Sequence, residues 1–236
     1  MNETLVSCII PAFNHEAYIR EAIDSVLAQT RPVPEIVVVD DGSTDATASV
    51  VRSYGPRVRY VWQENAGPAA ARNRGLAEAS GHLFAFLDAD DLWLPERMER
   101  QLAPLEADPA LSFTVCQLQN FWVPELEAEA QVRRQRREGQ AAAGYVSGGL
   151  VARREAFERV GPFDPALGHG DSADWFLRAR AAGLVGILVP QVLVLRRIHP
   201  GNRSRAQADA SRDEFLHLLK RQIDARRGSQ PGDGTR

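Results

Sequence analysis

Short apolar runs alternate with amphipathic stretches through the first hundred residues. Val6-Ser7-Cys8-Ile9-Ile10 reads as a strand, and Pro11 should end it because proline donates nothing to a central ladder. A helical pattern follows from about Glu16 to Ala28, with Ala17, Ile19, Ile23, Val26 and Leu27 forming an apolar stripe. Glu35 to Val39 is a second strand, apolar throughout as a strand covered on both faces should be. Asp41 to Asp45 predicts a turn into another helix. Val58 to Trp62 predicts a third strand, Pro68 to Ala79 an Ala-rich helix closed by Ser80-Gly81, and His82 to Leu87 a fourth strand. This alternation predicts a parallel, doubly wound α/β sheet, with ligands at the carboxyl ends of its strands. Polar or turn-forming clusters fall at those ends: Pro11 to Asn14, Asp40-Asp41, Asn65 to Gly67 and Asp88 to Asp91.

The second half is less regular. Leu111 to Cys116 predicts a strand, Val151 to Val160 a short helix and Asp174 to Ala182 a helix closed by Gly183. Ile187 to Val189 and Val192 to Leu195 read as extended. Pro124 to Gln140, with Arg133, Arg134, Arg136 and Arg137, reads as a solvated helix or loop rather than an anion site. Arg212 to Arg226 predicts a terminal helix with Phe215, Leu218, Leu219 and Ile223 on one side, and 228–236 a disordered tail.

The length of 236 residues suits one α/β domain, and a net charge of -3 argues against general attraction to nucleic acid. Cys8 and Cys116 lie far apart in sequence and predict two buried free thiols rather than a metal motif. No signal-peptide core follows Met1, and no apolar run reaches the roughly 20 residues that span a bilayer. The expectation is a cytoplasmic protein, free or peripheral to a membrane.

Asp88-Ala89-Asp90-Asp91 follows the apolar run Leu83 to Leu87. Crowded carboxylates repel unless cations compensate, and Mg²⁺ or Mn²⁺ suits both carboxylate and phosphate oxygens. The plainer reading is helix capping, since Leu94-Pro95-Glu96-Arg97 looks like a helix start. Both are expected together: Asp91 supports or caps, while Asp88 and Asp90 face a ligand.

Four ordered segments carry a resemblance: Ile10 to Asn14, Val37 to Asp45, Asn65 to Asn73 and Phe86 to Asp91. Together they resemble the family 2 glycosyltransferases with the GT-A fold, closely over residues 4–100 and more loosely to about 205. The resemblance implies a mostly parallel Rossmann-like sheet flanked by helices. A nucleotide-sugar-binding half would span 1–100, and a less regular acceptor-side half 101–227. It also implies inverting transfer from a nucleotide-diphosphate sugar, usually with Mn²⁺ or Mg²⁺. Carried over, Pro11, Ala12 and Asn14 would lie along the nucleotide. Asp40 or Asp41 would accept from the base, most often uracil in the family, unless Asp41 is only a turn residue. Gly67 would admit the backbone to the nucleotide. Arg72 would face a phosphate or the donor sugar, the plainer reading being a surface ion pair. Asp88 would contact ribose or sugar, Ala89 would lie against the donor beside it, and Asp90 would bind donor and metal. His199, in Leu195 to Asn202, resembles a late family histidine that approaches metal or pyrophosphate; alone it is as readily a loop residue.

Inverting transfer needs a general base. The matching stretch is Gly170-Asp171-Ser172-Ala173-Asp174-Trp175, and the usual base position holds Ser172. Three readings stay open: Asp171 acts through a shifted loop, another group acts, or the chain binds donor with little or no transfer. Asp174 is expected to cap its helix or position the loop. Trp93, Trp122, Tyr145 and Trp175 are each either sugar-stacking surface or core. Ser147-Gly148-Gly149 borders the acceptor cleft or simply turns. A nucleotidyltransferase would need a Gly-rich basic loop after the first strand, which Pro11 to His15 does not supply. The acceptor class stays open among saccharide, lipid, peptide and small molecule.

Overall fold

The structure, a computed structural model, describes residues 5–135, 142–143 and 145–206, together with Glu214 and Lys220. The expected terminal helix at 212–226, the tail and Arg136–Arg137 lie outside this set apart from those two residues. The described elements run β1 (Val6–Ala12), α1 (Ile19–Leu27), β2 (Glu35–Asp40), α2 (Thr47–Arg52), β3 (Arg59–Trp62), α3 (Pro68–Glu78) and β4 (Leu83–Phe86). They continue with β5 (Leu92–Trp93), α4 (Arg97–Ala107), β6 (Leu111–Trp122), α5 (Glu127–Gln135), β7 (Ala142–Ala143) and β8 (Leu150–Arg153). The last are α6 (Arg154–Val160), α7 (Asp171–Ala181), β9 (Val185–Ile198) and α8 (Arg203–Ala206).

One mixed sheet runs in the order β3-β2-β1-β4-β8-β6-β9-β5, with β7 beside β6. Strands β1 to β4 are mutually parallel, β8 is antiparallel to both β4 and β6, and β5 is antiparallel to β9. Chain order reverses between β1 and β4, which opens a crevice at their carboxyl ends. Alternate residues of β1 serve opposite cores: Cys8 and Ile10 face the layer with α1 and α4, while Ile9 faces the layer with α3 and α7. Gly75 lets α3 press onto the sheet, because a Cβ there would lie 2.3 Å from Ile9 Cγ2. Cys8 and Cys116 are buried and free, and burial pushes both thiols up.

Several boundaries differ from expectation. Pro11 lies inside β1, paired with Val39. Ile9 O accepts from Leu87 N, so Pro11, two residues on, faces the same side, where the ladder to β4 has already ended. Its missing N–H therefore costs no ladder bond. Residues 150–153 form strand β8 rather than helix, because they close the ladder between β4 and β6. Ile187 to Leu195 belongs to one long strand, β9, paired along β6. Helix α7 starts at Asp171, three residues before the expected Asp174, with Gly170 as its cap residue. Asp174 therefore does not cap; it pairs with Arg178 one turn on, at 2.6 Å. Arg133 of α5 likewise pairs with Glu129, which also meets Arg205.

Candidate active site

The crevice is built first from backbone held by side chains. Asn14 takes a left-handed conformation (φ 55°), and the loop after β1 is laced to the loop after β2. Asn14 N donates to Ser43 Oγ at 2.9 Å, and Thr44 N donates to Asn14 Oδ1 at 2.8 Å. Glu16 N donates to Asp45 Oδ2 at 3.0 Å, Ala46 N donates to Glu16 Oε2 at 2.7 Å, and His15 N donates to Thr47 Oγ1 at 2.8 Å. Pro11 and Ala12 are buried beneath this lacing.

Asp40 is fully buried. Ser43 N donates to its Oδ1 at 2.8 Å, and Tyr60 Oη donates to its Oδ2 at 2.6 Å. Burial and the Asp40 charge push the Tyr60 phenol up to about 12. Asp41 receives Gln63 Nε2 and Ala66 N on one oxygen and Gly67 N on the other. It thereby shapes the turn in which Gly67 (φ 89°) precedes α3. The left-handed conformation at Gly67 is one that other residues adopt at a cost.

From the start of α3, Arg72 reaches across the crevice. Its Nη2 donates to Asp88 Oδ1 at 2.8 Å and its Nη1 to Asp171 Oδ2 at 2.7 Å. Arg72 and Asp171 are buried, whereas the Asp88 side chain is 41% exposed. Burial would lower the Arg72 pKa, but the charges of Asp88 and Asp171 outweigh it and raise it. Arg72 is thus a buried bridge rather than a surface ion pair, joining the end of β4 to the start of α7. Ser172, beside Asp171, accepts from Ser147 N at 3.0 Å and is buried.

Ala89 is buried, and Asp90 turns the other way from Asp88. Its Oδ2 lies 3.0 Å from His199 Nε2, 3.0 Å from Asn202 Nδ2 and 3.9 Å from His15 Nε2. Burial would raise the Asp90 pKa, but the His199 hydrogen bond and the His15 charge bring it below the usual value. His15, Asp90 and His199 each offer a ligand atom within 4.8 Å of the others. Sequence reading picked Asp90 and His199 but missed His15, whose neighbours lie far off in the chain. Its one signal was its place directly after Asn14 at a strand end.

Asp91 does not cap α4, whose cap residue is Glu96. It accepts instead from Arg197 N at 2.9 Å, tying the carboxylate run to β9. Burial, then the charges of Asp90 and Asp88, hold its carboxyl well above the usual range. Beneath the run lies Arg97, fully buried, its guanidinium 4.2 Å from the Trp93 ring centroid. It donates to Gln101 Oε1 and to the carbonyls of Phe86 and Leu150. This pins the end of β4 just before the carboxylates. Trp93 and Trp175 are core, Trp122 is half-buried and Tyr145 is exposed.

Among the described residues, no helix is long and apolar enough to cross a membrane. An uncharacterized glycosyltransferase of Nostoc is 35% identical over 176 residues, covering 68% of this chain and 54% of its own length. Another, from Rickettsia typhi, is 47% identical over 98 residues, covering 42% of this chain and 31% of its own length. The chain therefore spans about a third to a half of the length of these relatives. The glucosyl-3-phosphoglycerate synthase of Mycobacterium tuberculosis was solved with Mn²⁺, uridine diphosphate and phosphoglyceric acid. It superposes with a TM-score of 0.66 at 25% identity, covering 98% of this chain and 81% of that one. Glycosyl transferase family 2 matches residues 7–161, more than half of the chain. With that match and a GT-A sheet whose carboxylate run stands at the reversal of strand order, the chain belongs to glycosyl transferase family 2.

Proposed function

We propose that this chain is an inverting glycosyltransferase acting on a nucleotide-diphosphate sugar, uridine-linked, with Mn²⁺ or Mg²⁺ assisting. The carrying observation is the divergence of Asp88 and Asp90 toward two different clusters from one strand end. Asp90, its carboxylate favoured in the ionised form, and His199 offer donors that fit a divalent ion. When bound, the ion stabilises negative charge on the departing diphosphate. Arg72 would add to that stabilisation through a fork that suits phosphate oxygens. Gly67 and the laced loops after β1 and β2 shape the nucleotide side, with Asn14 fixing their spacing. Asp171 takes the acceptor proton, because it is the carboxylate on the acceptor-side helix that reaches this crevice through Arg72. Donor binding would loosen that bridge, freeing a carboxylate oxygen as the diphosphate claims the guanidinium.

A second reading has its own support: Ser172 Oγ is tied to Ser147 N and Asp171 to Arg72, so neither stands free as a base. On that reading the chain binds donor and transfers little. A thermal-shift screen of nucleotide sugars with Mn²⁺ or Mg²⁺ identifies the donor, since binding only the folded state raises stability. Transfer assays across an acceptor panel, with and without chelator, then separate the two. Donor-dependent stabilisation without transfer to any acceptor favours the binding module, and chelator-insensitive transfer overturns metal assistance.

A further inference from the structure

We infer that His15 is a third protein ligand to the metal, and that the resulting pair of imidazoles makes the site select Mn²⁺ or a later transition ion over Mg²⁺. The inference rests on the metal-assisted reading above and deepens it. His15, Asp90 and His199 come from three separate strand ends, yet their ligand atoms lie within 4.8 Å of one another. His15 Nε2 stands 3.9 Å from Asp90 Oδ2, and His199 Nε2 stands 3.0 Å from the same oxygen. Two imidazoles gathered about one carboxylate supply the donors a divalent transition ion takes.

Each ligand is held. The backbone of His15 is fixed to Thr47 Oγ1 within the laced loops. The Tyr18 ring lies against the His199 imidazole, centroids 4.6 Å apart, and Asn202 Oδ1 accepts from His199 N at 2.6 Å. Asn202 Nδ2 also steadies Asp90, the outer support expected around metal ligands. Ligation through His15 Nε2 requires a proton on Nδ1, so the Phe13 N–H now 3.3 Å from Nδ1 must turn away. That bond is long enough to yield easily.

The donor set carries the selectivity. Mg²⁺ prefers oxygen ligands and keeps its waters, whereas imidazole suits first-row transition ions, with affinity rising from Mn²⁺ onward. Two imidazoles with one carboxylate leave positions open for water and diphosphate oxygens.

The test uses Mn²⁺ and Mg²⁺ as probes, alone and with uridine diphosphate. Electron spin-echo modulation on the Mn²⁺-loaded wild type is expected to show two coupled imidazole nitrogens, and one in either His15→Ala or His199→Ala. Calorimetric titration is expected to show Mn²⁺ bound more tightly than Mg²⁺. His15→Ala should lose Mn²⁺ affinity by about 10–100-fold, with the preference reduced. The wild-type spectrum needs no variant to fold. A single imidazole that vanishes in His199→Ala but persists in His15→Ala overturns this inference and leaves metal assistance standing. No Mn²⁺ binding by wild type, with or without the nucleotide, overturns both.

Discussion

Asp88 and Asp90 are two residues apart and sit in opposite surroundings. Asp88 is partly exposed and faces a permanent cation, Arg72, which already bridges to Asp171. Asp90 is largely buried and faces two imidazoles, whose nitrogens can ligate a metal, and the Asn202 amide, which donates to it. The first cluster sets one guanidinium against two carboxylates; the second sets two imidazoles and an amide around one carboxylate. One run of carboxylates therefore serves two tasks, and the turn through Ala89 makes the split. Both clusters join the two halves of the chain: Arg72 and Asp88 meet Asp171, while His15 and Asp90 meet His199 and Asn202.

The sharpest way to break this division is Asp171→Asn. Loss of a general base is expected to lower kcat by about 10²–10⁴-fold, with donor binding by thermal shift nearly unchanged. A wild-type rate would remove Asp171 as base and leave the Arg72 bridge purely architectural.

Asp90→Ala probes the other cluster. We expect a fall in kcat/KM of about 10²–10³-fold, matched by chelation of the wild type and not additive with it. Additive losses would mean that Asp90 acts apart from the metal.

Arg72→Ala sharpens the contrast through stability. It leaves Asp171 buried without its cation, so urea unfolding should show a loss of about 3–5 kcal/mol. Arg72→Lys, offering no fork, should recover only part of it. A loss no larger than that of a surface substitution would show that the bridge does not hold the two halves.

The smallest effect is expected at Asp91→Asn. In the native protein the Asp91 pKa is raised above its unfolded value, so its ionisation costs stability as pH climbs through the native value. The amide keeps an acceptor for Arg197 N without that cost. In metal-free protein the variant should melt higher near neutral pH, and the gain should vanish below the ordinary carboxylate range. A gain independent of pH would contradict the electrostatic origin.

Much of the first hundred residues was legible because β1 to β4 are short, mostly apolar runs ending in polar turns. Leu83 to Phe86 leading into Asp88 is the plainest case. Pro11 misled because a proline rule for central strands ignores where a ladder stops. The second half resisted because its strands β8 and β9 are defined by pairing partners, not by local pattern. Asp40 and Asp41 are adjacent in sequence, and only tertiary packing turns Asp40 toward Tyr60. His15 escaped for the same reason: residues 15, 90 and 199 meet only once the sheet has formed. At Asp171, sequence located the departure at Ser172 but could not foresee the helix that begins there.

The two covered thiols give the molecule a built-in reporter. Cys8 lies in the middle of the central strand and Cys116 in β6, and burial keeps both in the unreactive protonated form. An alkylating reagent can modify them only during excursions that open the sheet. With donor and metal added, the labelling rate becomes a clock for how tightly those ligands lock the two halves together.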